Sequence, residues 1–212
     1  PRRPTVIAST YNQPRALALV LWGSAAQTHR IFDVVIADDG SRPDTAAVID
    51  RLRAATGLSI THVWHADDGF RKTEILNRAI LAAPGDYLIF TDGDCIPRRD
   101  FVATHVALAR PGVFLSGGYL KLPQGPSDAL KPEDVTSGRA FDLAGLRAQG
   151  WAPGRRAVRL LAPGPLPRLL DALTPTQPTW NGHNASTWTS AIVAANGFDL
   201  DMGYGGEDWA FG

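Results

Sequence analysis

Two aspartates, Asp92 and Asp94, follow an apolar run from Tyr87 to Phe90, with a single glycine between them. Such a run, bounded by Pro84-Gly85 and by Pro97, predicts a buried strand. Residues two apart in extended backbone point to the same side. Two carboxylates on one side suit a divalent cation with oxygen ligands, which shares its coordination with waters and substrate phosphates. Gly93 lets a ligand approach closely. The same three residues also suit a plain polar turn, since Asp-Gly is common turn chemistry. The adjoining Cys95, the only cysteine in the chain, reads as a small buried hydrophobe rather than a nucleophile.

Other polar clusters follow the same rule of placement. Thr5-Val6-Ile7-Ala8 predicts a first strand and is followed by Ser9-Thr10-Tyr11-Asn12. A helix is expected from Pro14 through Ala16 to Trp22. Val34 to Ala37 predicts a second strand, ending in Asp38-Asp39-Gly40-Ser41. Asp44 is a candidate helix cap, with Val48, Ile49 and Leu52 as the buried stripe. Leu58 to Trp64 alternates as a third strand and leads into His65 to Lys72. Thr73 to Ala82 carries Ile75, Leu76, Ala79 and Ile80 at helical spacing. Strands alternating with helices predict an α/β fold with a mainly parallel sheet flanked by helices, joined by right-handed crossovers. Ligands of such sheets sit at the carboxyl ends of the strands. Four polar clusters at four strand ends favour a site over a turn.

The sheet has no glycine cradle for its ligand. No GxGxxG follows the first strand and no GxxxxGK[ST] occurs. Composition is that of an ordinary globular protein: 212 residues, 44% hydrophobic, 20% charged. Acidic and basic residues balance at 21 each, so no net field points to nucleic acid. No apolar stretch approaches the ~20 residues of a spanning helix. Nothing at the start reads as a secretory leader, and one cysteine fits a reducing, cytoplasmic compartment. The absence of an initiator methionine and the stop soon after Glu207-Asp208 predict a trimmed chain.

The second half is less regular. Phe101 to Leu108 predicts a helix, Val113 to Leu122 a strand, and Pro132 to Leu146 a helix favoured by Glu133 and Asp134 near its positive end. Trp151 to Pro178 predicts a long excursion or small subdomain. Its Arg155, Arg156, Arg159 and Arg168 read as a solvated basic face, with anion binding as the alternative. A loop around Trp180 and Trp188 precedes a short helix, Thr189 to Ala195, and an Asn196-Gly197-Phe198-Asp199 turn. Asn184-Ala185-Ser186 matches a glycosylation triplet, discounted without a secretory leader.

Thr10-Tyr11-Asn12, Asp38 to Ser41 and Asp92-Gly93-Asp94, in this order, resemble the nucleotide-sugar-binding half of the family 2 glycosyltransferases, of the GT-A fold. The segment from Asn196 through Gly205-Gly206-Glu207-Asp208-Trp209 is similar to one shared by β-1,4-galactosyltransferases and bacterial chondroitin-type polymerases. Gly69-Phe70-Arg71 with Asn77 is similar to that group's segment before the third helix. The resemblance spans 5–122 and 179–212 and implies one GT-A domain, with a nucleotide-sugar half (1–122) and an acceptor half (123–212). It implies a UDP-sugar donor, a Mn²⁺ or Mg²⁺ ion, and a glycan or lipid-linked acceptor, with peripheral association at the inner face of a membrane.

Roles follow from it position by position. Thr10, Tyr11 and Asn12 would line the nucleotide pocket, and Asp39 would bind the base. Phe70, Arg71, Lys72 and Asn77 would flank the nucleotide or its phosphates. Asp92 and Gly93 would face the ribose or donor sugar, and Asp94 would hold the metal. Gly205 and Gly206 would let substrate approach, Glu207 would touch the acceptor, and Asp208 would be the catalytic base. Trp180, Trp188 and Asn184 are candidates for a sugar contact, with core packing as the alternative for each tryptophan. The related galactosyltransferases take a further metal ligand, a histidine, from beyond the Gly-Glu-Asp segment, and His183 is the substitute candidate here. Two rival readings are a sugar-nucleotide pyrophosphorylase, which needs a Gly-rich loop that Ser9 to Pro14 lacks, and a non-catalytic nucleotide-sugar or glycan-binding module.

Overall fold

The computed structural model describes residues 1, 3–148, 151, 154 and 179–199. Its centre is a six-stranded sheet: β1 (Thr5–Thr10), β2 (Asp33–Asp38), β3 (Ile60–Trp64), β4 (Tyr87–Asp92), β5 (Leu115–Ser116) and β6 (Asn184–Trp188). The order across the sheet is β3-β2-β1-β4-β6-β5. The first four strands are parallel; β6 runs antiparallel between β4 and β5. Every residue of β1 and β2 is buried, which is why both read as near-continuous apolar runs rather than as alternation.

Alternate strand residues feed two cores. Val6, Ala8, Val34, Ile36, Tyr87 and Ile89 pack with Leu17 and Leu21 of α1 (Pro14–Ala25), Ile49 and Leu52 of α2 (Pro43–Thr56) and Val102 of α4 (Phe101–Leu108). Ile7, Val35, Ala37, Leu88 and Phe90 pack on the opposite face. Their partners are Ile75, Leu76, Ala79 and Ile80 of α3 (Lys72–Ala82), together with Trp180, Ile192 and Phe198. The chain steps from β1 outward to β2 and β3, then returns to the other side of β1 as β4. The order therefore reverses between β1 and β4, and the carboxyl ends at such a reversal are where open α/β sheets bind their ligands.

Several elements differ from the sequence-based expectations. Asp44 does not cap α2: Arg42 holds the cap position, Pro43 opens the helix, and Asp44 lies in its first turn. The third strand begins at Ile60, not Leu58. The strand expected over Val113–Leu122 shrinks to Leu115–Ser116. Gly112 before it takes a left-handed conformation (φ +72°), and Gly117 after it packs so tightly that a Cβ would lie 2.3 Å from Asn184 Nδ2. The helix expected over Pro132–Leu146 is broken at Gly138 (φ +86°), a conformation glycine adopts without strain. It becomes α6 (Pro132–Ser137), a 3₁₀ turn (Arg139–Phe141) and α7 (Leu143–Ala148). Asp142 caps the last piece by accepting from the N–H groups of Ala144 and Gly145. A short α5 (Gln124–Ala129) and strand β6 were not expected, whereas the helix after β6, α8 (Thr189–Ala194), was.

Candidate functional site: the carboxyl ends of four parallel strands

The end of β2 supplies two adjacent aspartates with different duties. Asp38 is fully buried, accepts from the Ser41 N–H at 2.9 Å and pairs with His62 Nε2 at 2.8 Å. It braces the turn. Asp39 accepts from His65 Nε2 at 2.7 Å and from the Arg71 N–H at 3.1 Å. A carboxylate only accepts, so Nε2 of His65 carries the proton. Asp39 is thereby fixed in place with acceptor capacity left for a ligand's N–H or O–H.

The loop after β1 is tied to that turn. Asn12 sits at φ +51°, its N–H donates to Ser41 Oγ at 2.8 Å, and its Oδ1 accepts from the Arg42 N–H at 3.0 Å. Tyr11 reaches across to Asp67, donating at 2.9 Å, and this bond holds its phenol pKa above the ordinary value. Tyr11, Trp64 and Phe70 leave large apolar faces exposed around these strand ends. Two buried atoms nearby, Thr10 Oγ1 and His65 Nδ1, have no hydrogen-bond partner among the described residues. Buried polar groups are rarely left so unless a ligand or water completes them.

At the end of β4, Asp92 Oδ1 accepts from Ser9 Oγ at 2.7 Å and from Lys72 Nζ at 3.1 Å. Gly93 donates its N–H to Ser9 O at 2.6 Å, and a Cβ there would meet Ser9 O at 2.8 Å and Thr10 Cβ at 2.9 Å. The glycine is thus required by the neighbouring strand. The ligand atoms of Asp92, Asp94 and Cys95 lie within 4.8 Å of one another. Two carboxylates at the end of β4 fit a hard divalent cation. Burial, then the charges of Asp94 and Asp92, raise the Cys95 thiol far above its ordinary pKa, so it is a neutral neighbour at pH 7, in line with its reading as a non-nucleophile. His183 precedes β6, whose first residue Asn184 lies opposite Thr91, but it does not join the carboxylate cluster.

Thr10, Tyr11, Asn12, Asp39, Phe70, Arg71, Asp92, Gly93 and Asp94 belong to these strand ends and the loops that leave them, and Lys72 opens α3 at the end of one such loop. Three other candidates lie in structural positions. Trp180 is 1% exposed and packs edge-on against Phe90 and Phe198, so no face is open to a sugar. Asn184 gives its Nδ2 to Gly118 O at 2.9 Å and takes His105 Nε2 on its Oδ1 at 3.0 Å. Asn77 clamps the 196–199 turn, donating to Phe198 O at 2.8 Å and accepting the Phe198 N–H at 2.9 Å. Glu207, Asp208, Gly205 and Gly206 lie outside the described residues, as do Arg155, Arg156, Arg159 and Arg168. Sequence reasoning missed Ser9, His65 and Asp67. All three are polar residues at or just past the ends of strands, the signal that had found Asp39 and Asp92.

The architecture is that of the GT-A glycosyltransferases. The mannosyltransferase PcManGT of Pyrobaculum calidifontis, solved in complex with GDP-Man and Mn²⁺, superposes over 99% of this chain with a TM-score of 0.62 at 22% identity. S. aureus TarS 1–349 in complex with UDP-GlcNAc does so over 99% at a TM-score of 0.56 and 18% identity. In sequence, residues 5–117 match the family model for glycosyl transferase family 2, and the chain belongs to that enzyme family. The hyaluronan synthase of Pasteurella multocida is 31% identical over 104 residues, 49% of this chain. The chain spans a tenth of that synthase and about half of each solved chain. The likeness of 196–212 to galactosyltransferases is not among these matches, and 200–212 lie outside the described residues.

Proposed function

We propose that this chain is the nucleotide-sugar transferase unit of an inverting, metal-dependent glycosyltransferase. It would move a sugar from a UDP-sugar to a hydroxyl of a glycan or lipid-linked acceptor. The observation that supports this reading most is the placement of Asp39 just past β2 and of Asp92 and Asp94 at the end of β4, the two strands that flank β1 where the strand order reverses. Residues 1–122 then form the donor half of a single domain and 123–212 the acceptor half. The setting is the cytoplasm, with peripheral contact at the inner face of a membrane; among the described residues no helix is long and apolar enough to cross one.

Each residue has a physical task in this reading. Asp39, fixed by His65 and Arg71, accepts the imide N–H of the base. Tyr11 and Phe70 supply apolar faces beside it, Thr10 offers its hydroxyl, which has no partner among the described residues, and Asn12 holds the loop. Lys72 and Arg71 lie on the diphosphate side. Asp94, with Asp92 beside it, would hold Mn²⁺ or Mg²⁺, which when bound neutralises charge on the departing diphosphate. The acceptor oxygen attacks the anomeric carbon as the carbon–oxygen bond to the diphosphate breaks. The diphosphate leaves with the electron pair, and Asp208 takes the acceptor proton as general base, with Glu207 on the acceptor. Attack opposite the leaving group inverts the anomeric centre.

Asp208→Asn tests the transferase against a binding module. It should abolish turnover while nucleotide-sugar binding persists. Undiminished turnover of that variant would remove Asp208 from the base role.

A further inference from the structure

Asp92 is an occupied carboxylate. Ser9 and Lys72 both address its Oδ1, at 2.7 and 3.1 Å. The fold brings them there: Ser9 pairs with Asp92 in register across β1 and β4, and Lys72 is the first residue of α3. The pair is partly exposed, with side-chain exposures of 23% for Lys72 and 30% for Asp92. The ligand atoms of Asp92, Asp94 and Cys95 lie within 4.8 Å of one another. A lysine ammonium therefore already pairs with one of the carboxylates that a divalent cation would use.

The electrostatics of that arrangement are simple. A cation approaching Asp94 meets a like charge at short range and a carboxylate whose charge is partly spent. A diphosphate does the opposite, offering the ammonium several anionic oxygens. We propose that Lys72 is an exchangeable counter-ion of the site: it holds Asp92 in the free protein and transfers to the diphosphate in the loaded one. The proposal rests on the reading of Asp92 and Asp94 as the diphosphate end. Two consequences follow. The free protein binds divalent cation weakly, because Lys72 opposes it. Cation and nucleoside diphosphate then bind with positive coupling, each tightening the other by the same factor, because the diphosphate draws Lys72 off Asp92. A lysine serving only to brace α3 against β4 would still oppose the cation but would give no coupling, so the coupling is the discriminating effect.

The test is Mn²⁺ binding by the full chain, followed through the resonance of free Mn²⁺, alone and with saturating UDP or GDP. Lys72→Met should bind Mn²⁺ alone about tenfold more tightly than the wild type, and should lose about the same factor from the enhancement given by nucleotide. Lys72→Arg should keep the wild-type pattern, and Lys72→Gln replaces the methionine variant if that one does not fold. Equal or weaker Mn²⁺ binding by the neutral variants, with Asp94→Asn abolishing it, overturns the counter-ion role and leaves the metal site standing. Failure of the wild type to bind Mn²⁺ even with UDP or GDP overturns the metal site and the counter-ion with it.

Discussion

The two sides of the sheet treat polar side chains in opposite ways. Along the parallel strands β1, β2 and β4, the polar groups at the carboxyl ends are held but not used up. Asp39 and Asp92 are oriented by neighbours and keep acceptor capacity, and Asp94 is exposed. Around the antiparallel strand β6 the polar side chains of Tyr87, His105, Asn184 and Ser186 bond one another. Tyr87 and His105 Nδ1 both engage Ser186 Oγ, at 2.7 and 2.6 Å, and His105 Nε2 engages Asn184, which is itself bound to Gly118. Asn184 gives its amide to Gly118, so its oxygen accepts and His105 Nε2 donates. Nδ1 is then an acceptor for the Ser186 hydroxyl, and Tyr87 donates to Ser186. One side is poised for a ligand and the other is closed upon itself. A polar residue near a catalytic site is therefore not thereby part of it.

Substitutions on the two sides should separate function from stability. The largest effect belongs to the poised side: Asp94→Asn should lower metal-dependent turnover by about 10²–10³-fold, measured as kcat/KM with Mn²⁺, with an unchanged melting temperature. On the closed side, burial holds the His105 pKa down at about 4 from an ordinary 6.5, with the Asn184 bond acting weakly the other way. The folded state thus favours the neutral ring. Its contribution is complete above pH 6.5, is lost as pH falls from 6.5 to about 4, and is constant below. That window should cost about 3 kcal/mol of unfolding free energy. Urea unfolding across it, with His105→Asn as the variant whose slope flattens, measures the loss. Asn77→Ala removes both bonds to Phe198 and should cost about 2 kcal/mol. Tyr87→Phe deletes one buried donor and should cost about 1 kcal/mol, with nucleotide affinity unchanged. A fall in nucleotide affinity in this last variant would erase the division between the two sides.

The parallel half was legible because buried parallel strands leave a plain mark. Val34–Ala37 and Tyr87–Phe90 are unbroken apolar runs, each stopped by acids. The closed side left no such mark. Asn184-Ala185-Ser186-Thr187 is polar and small, and it becomes a strand because β4 and β5 pair with it from both sides and His105 saturates its hydroxyl and amide. That is a tertiary cause with no local period. Strand order was equally hidden, so the contact of Ser9 with Asp92 across the reversal could not be foreseen. Asn77, a candidate through the resemblance, bonds Phe198, and Trp180 lies in the aromatic core, the alternative its bulk had left open. Gly138 stopped a helix that the charge pattern of Glu133 and Asp134 had favoured, because glycine at φ +86° ends a helix whatever follows.

The central claim is that Asp92 and Asp94 bind a nucleoside diphosphate through a divalent cation. Calorimetric titration of UDP into the protein, with Mn²⁺ and then with a chelator, addresses it most directly. Binding should be saturable with Mn²⁺, at least tenfold weaker with chelator, and equally weak in Asp94→Asn under either condition. Affinity that is the same with and without chelator would contradict the claim.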